Sequence, residues 1–91
     1  MVKINGYDYQ ISNKPNKKLQ VVVNNKTIHF GDSRYEHYFD KTGLLDKSLN
    51  HNDNTRRANY LKRAKGIKDK NGDLTYLNPS SANYHAVKIL W

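Results

Sequence analysis

Apolar and polar positions alternate most cleanly between Leu19 and Phe30, with one interruption at Asn24-Asn25. Asparagine at both central positions of a two-residue loop tolerates the positive φ that a type I′ turn requires, so this stretch predicts a β-hairpin. Val23 then sits opposite Lys26, Val21 opposite Ile28 and Leu19 opposite Phe30. That register puts Leu19, Val21, Val23, Ile28 and Phe30 on one face. Gln20, Val22, Thr27 and His29 fall on the other, as in a sheet with one side on a core and one in water.

The rest of the chain gives shorter signals. Val2, Ile4, Tyr7, Tyr9 and Ile11 alternate with polar residues and predict a short strand over Met1 to Gln10, with a bulge or turn at Gly6. Residues 12–18 read as a loop, because Pro15 pushes Lys14 away from helix. After Gly31, Asp32 or Ser33 is placed to cap a short helix over Arg34 to Phe39, ended by Thr42-Gly43. Leu44, Leu45 and Leu49 form a small apolar group, followed by the turn-forming run Asn50 to Asn54. A helix is then predicted over Thr55 to Lys65, capped by Asp53 or Asn54 and stopped at Gly66. Its residues Arg56, Asn59 and Arg63 share one polar stripe. Lys70-Asn71-Gly72-Asp73 predicts a turn between Ile67 and Leu74–Leu77, and so a second short hairpin. Ser80 or Ser81 caps a last helix over Ala82 to Trp91. Its apolar side, ending in Ile89-Leu90-Trp91, either docks on the face of the first hairpin or anchors to another subunit. Together these elements predict an α+β fold, a small antiparallel β-hairpin or sheet near the N-terminus packed by two or three short helices. Residues 1–91 form one small basic domain.

Charge changes the picture more than composition does. Sixteen Lys and Arg against eight Asp and Glu give a net charge of +8, which favours a polyanionic partner, nucleic acid before membrane. The cations concentrate between Arg56 and Lys70, where Asp69 is the one acidic residue. Arg56, Arg57, Lys62, Arg63, Lys65 and Lys68 are therefore the candidate nucleic-acid contacts, to phosphates of double-stranded DNA and without base readout. A basic surface of this kind also suits an acidic protein. Tyr35, Tyr38, Leu90 and Trp91 are the candidate partner-binding residues. With only 36% hydrophobic residues, the chain is expected to become fully ordered as an oligomer or on a partner.

Cysteine is absent, which excludes disulfides and thiolate metal sites. No apolar run reaches the length of a membrane span and no signal peptide is recognisable, so an intracellular protein is expected. His37 and Asp40 stand one helical turn apart but have no second pair at ligand spacing. Asp69, Asn71 and Asp73 imitate the opening of a calcium loop, yet glycine comes at the fourth place and Ser80 stands where a bidentate Glu is needed. Glu36 is the only glutamate, and there is no nucleophile elbow or phosphate-cradling glycine loop. No cofactor, metal or catalytic residue is expected.

The order of short motifs is more specific. A hairpin ends in His29-Phe30-Gly31, followed by Asp40-Lys41-Thr42-Gly43, by His51-Asn52-Asp53 before Arg56-Arg57-Ala58-Asn59-Tyr60, and by Leu90-Trp91. Over residues 17 to 91 this resembles a family of small basic proteins found in tailed bacteriophages and, in related form, in large DNA viruses. Many of those relatives carry Arg-His where this chain has Arg63-Ala64. The resemblance implies a structural or virion-associated protein and no reaction. The expected role is a non-enzymatic virion protein in the inner core or near the portal or capsid, touching packaged DNA and neighbouring subunits. It would pass through the host cytoplasm before assembly. The alternative is a small early-expressed phage effector that inhibits a host nucleic-acid enzyme. On either view Asp32, Arg34, Asp40 and Lys41 are expected to bracket the start of the basic helix near His51 and Asp53.

Overall fold

The computed structural model describes residues 1–91. Four strands come first: β1 (Val2–Ile4), β2 (Tyr7–Ile11), β3 (Lys17–Val23) and β4 (Lys26–Asp32). They form one antiparallel sheet in the order β1-β2-β3-β4, so each strand pairs with its neighbour in sequence. The β3–β4 register is the one predicted, with Val21 opposite Ile28 and Leu19 opposite Phe30. Asn24 and Asn25 both have positive φ, 51° and 66°, as the type I′ turn demands. The predicted single N-terminal strand is instead a second hairpin. Asn5 and Gly6 take φ of 53° and 84°, and Ile4 faces Tyr7 across the two-residue loop. Asn-Gly between alternating apolar residues is the strongest local sign of such a hairpin, so this turn was readable from sequence.

Two α-helices follow, α1 (Asn54–Ala64) and α2 (Ala82–Ile89), with short 3₁₀ turns at Lys47–Leu49 and Thr75–Leu77. The fold is thus α+β with an N-terminal antiparallel sheet. Asp53 caps α1, its carboxylate accepting from the N–H groups of Thr55 and Arg56. Ser81 caps α2 by accepting from the N–H of Tyr84. The core joins Tyr9, Leu19, Val21, Val23, Ile28 and Phe30 of the sheet to Ala86, Ile89 and Leu90. The last helix therefore docks on the apolar face of the sheet. Leu90, a candidate partner-binding residue from sequence, is 1% exposed and belongs to this core. α2 also ends at Ile89, two residues earlier than predicted.

Two other expectations are corrected. No helix forms over Arg34 to Phe39, because that segment spends its backbone groups on distant partners. The N–H of His37 donates to the Leu49 carbonyl, and the N–H groups of Phe39 and Lys41 donate to the carbonyls of Leu90 and Ile89. Asp32, free in the prediction to cap a helix, pairs with the Arg34 guanidinium at 2.8 Å instead. The hairpin predicted around Asn71-Gly72 shrinks to one bridge between Lys68 and Leu74, after which Thr75–Leu77 turns as 3₁₀. Asp69 organises that turn by accepting from the N–H groups of Asn71 and Asp73, which accounts for its calcium-loop look.

Candidate nucleic-acid interface

The segment between β4 and α1 holds the basic helix in place with buried polar side chains. His37 and Lys18 are 0% and 5% exposed, and the Lys18 Nζ lies 2.9 Å from His37 Nδ1. Lysine is the donor here, so the His37 proton sits on Nε2 and is donated to Asn50 Oδ1 at 2.7 Å. Asn50 Oδ1 also accepts from the Asp40 N–H. Burial, reinforced by the neighbouring Lys18 charge, pushes the His37 pKa below its ordinary value. Burial likewise lowers that of Lys18. The carboxylate of Asp40 accepts from the hydroxyl and N–H of Thr42 and from the N–H of Leu45. Asp40 and Thr42 are thus bound to each other and to main chain, in a role that shapes an irregular segment.

The bracket around α1 lies where the sequence placed it, but other residues make it. Glu36 pairs with Arg56 at 3.1 Å, and the Tyr38 hydroxyl donates to Asn54 Oδ1. His51 Nδ1 accepts from the Asp53 N–H, which leaves the proton on Nε2, the one buried side-chain nitrogen without a hydrogen-bond partner. Asp32 and Arg34 engage each other, and the hydrogen bonds and ionic contact to Arg34 hold the Asp32 carboxyl down at about 2. Asp40 faces Thr42, away from the bracket.

The six candidate phosphate contacts fall into distinct environments. Arg57 is occupied: its Nε donates to the Trp91 main-chain oxygen at 2.7 Å, and its guanidinium lies 5.0 Å from the Tyr38 ring centre. Arg56 is exposed but paired with Glu36. Lys62, Arg63, Lys65 and Lys68 are exposed and make no ion pair, since the two salt bridges of the molecule are those of Asp32 and Glu36. At about 100° per residue, Arg56, Asn59 and Arg63 share one flank of α1 while Lys62 and Lys65 face outward. The flank predicted from the sequence stripe lines a cleft.

That cleft, of ≈ 570 Å³, lies between α1 and the segment around Tyr35 and Glu36. Trp91 lines it, its ring stacked on Tyr60 with centroids 4.0 Å apart and planes at 7°. Of the four candidate partner-binding residues, Tyr35 is the most exposed, at 64%, with the Arg34 guanidinium 5.7 Å from its ring centre. Tyr38 is held by Asn54 and Arg57, and Trp91 is half-buried against Tyr60 and His51. Local sequence places Tyr60 on the basic helix, but nothing local indicates that Trp91 reaches it from 31 positions away. No group of three or more His, Asp or Glu side chains is placed to hold a metal ion.

Residues 8–42 match the model of a family of unknown function, DUF5754. That span runs from β2 through β3 and β4 to Thr42. No curated protein and no solved structure matches the chain.

Proposed function

We propose that this protein contacts the phosphate backbone of nucleic acid without reading sequence, through Lys62, Arg63, Lys65 and Lys68, and catalyses no reaction. One observation carries the reading: these four exposed cations lie on one helix and the turn after it, and none has a carboxylate partner. Unpaired surface cations are hydrated at little cost and gain by releasing the counterions of a polyanion. The place of action follows from the sequence resemblance to phage proteins: the interior or neck of a phage head, against packaged double-stranded DNA and a core, portal or capsid subunit. Repetition of the chain in a ring or layer would multiply a weak attraction by valency.

Anisotropy titration with duplexes of unrelated sequence tests the binding. Four phosphate contacts give a slope of log affinity on log salt near about −3.6, so affinity falls roughly a hundredfold between about 50 and 200 mM salt. Binding that depends on sequence and ignores salt would overturn the proposal. A second reading, the early-expressed effector that inhibits a host enzyme, is favoured by Tyr35 and Phe39, which are 64% and 47% exposed on the same irregular segment. Mass spectrometry of purified virions separates the two, since the effector is absent from the particle.

A further inference from the structure

We propose that the cleft beside α1 receives an unstacked nucleobase with its phosphate, which makes the protein prefer single-stranded to duplex nucleic acid. This rests on the phosphate-binding reading above and adds to it a site for the base. The cleft is walled on one side by the stacked Tyr60–Trp91 pair and on the other by the exposed Tyr35. A second cavity of ≈ 360 Å³ shares Tyr35, Glu36, Tyr60 and Trp91 with it and extends away from α1 between the sheet and α2 as far as Lys17. The two adjoin at these four residues and together make up the groove. The volume of each lies in the range that suits a small ligand, about 300 to 1,000 Å³.

The chemistry of the walls selects the occupant. Both carboxylates in the groove, Asp32 and Glu36, are neutralised by Arg34 and Arg56. Arg63 and Lys17 remain as unpaired cations, one in each half. Between them stand aromatic faces and polar groups with no partner in the chain: the Tyr60 hydroxyl, the Trp91 indole N–H and the Asn59 amide. Aromatic faces flanked by free cations fit a flat heterocycle joined to an anion, because every base has a π-face and every nucleotide a phosphate. The bases of a duplex are already stacked on one another and cannot enter. A free strand or a frayed end can.

Trp91 is the single tryptophan, so its emission reports directly on the groove. The test titrates the full chain with a thymidine dodecamer, with a blunt duplex of equal length, and with an abasic deoxyribose-phosphate oligomer. The dodecamer is expected to bind at least about tenfold more tightly than the other two and to quench Trp91. Tyr35→Ala, at an exposed position outside the core, is expected to remove most of that advantage. The double variant Lys62→Ala, Lys65→Ala lowers affinity for all three ligands in proportion and flattens the salt slope. Equal binding of all three ligands without quenching, or a neutral Tyr35→Ala, overturns the groove assignment and leaves the phosphate contacts standing. Failure of every ligand to bind overturns both, and points to a protein as the partner of this surface.

Discussion

Gly31 has a φ of +77°, and a Cβ added there would lie 3.0 Å from Leu90 Cδ1 and 3.2 Å from Lys18 Cβ. Two separate requirements, left-handed backbone and close approach, meet at this one glycine. Gly31→Ala is expected to destabilise the fold by about 1–3 kcal/mol in urea titration, more than Gly43→Ala, whose added Cβ meets nothing. Histidines act at the same scale. His37 and His85 are wholly buried, and burial pushes the pKa of each below the ordinary 6.5, as it also does for His51. His85 accepts from the Tyr9 hydroxyl and donates to the Pro79 carbonyl, so it too is held neutral. Around His37 stand Lys18, Asp40, Asn50 and His51, of which Lys18, 2.9 Å away, also opposes a positive ring. On unfolding these rings take up protons below pH 6.5 that the fold refuses. Stability is therefore full above that pH and falls as pH drops through it, by up to about 1.4 kcal/mol per pH unit for each of the buried His37 and His85. Thermal melting at a series of pH values checks the sign, and replacing His37 with Gln should reduce the slope.

At the scale of elements, the sheet and α2 carry the core while α1 hangs on its cap and its polar ties. Within α1 only Ala64 is buried, whereas α2 and the residue after it bury His85, Ala86, Ile89 and Leu90. Truncating Leu90 to Ala is expected to cost about 2–5 kcal/mol, a large share of the stability of so small a domain. Asp53→Ala removes the cap of α1 and should cost about 1 kcal/mol. In amide exchange α1 is expected to open before β3 and β4, and Asp53→Ala to widen that difference. The elements differed in legibility for the same reason. The β3–β4 hairpin, α1 and α2 were readable because turn geometry, capping and apolar period are local. The Arg34–Phe39 stretch has helical spacing of its aromatics, but its backbone partners lie at Leu49 and at the end of α2, and no local pattern encodes them.

For the molecule as a whole, a net charge of +8 gives salt two opposite effects. Screening relieves self-repulsion in the folded state, so melting temperature should rise between low and moderate salt while nucleic-acid affinity falls. Measuring both on one preparation separates charge held in reserve for a polyanion from charge engaged inside the fold. By itself the sequence determined the register of the β3–β4 hairpin, each helix cap to within one residue, the α+β class, the polar stripe Arg56-Asn59-Arg63 and the concentration of cations between Arg56 and Lys70. Each of these depends on residues within a turn or two of one another. Only the tertiary structure decided which cations stay free. Arg57 is drawn to the Trp91 main chain, Arg56 to Glu36, and Trp91 comes to rest on Tyr60, closing one wall of the cleft. These contacts join residues 20 to 34 positions apart, and they exist because docking the apolar side of α2 on the sheet brings the end of the chain against the basic helix.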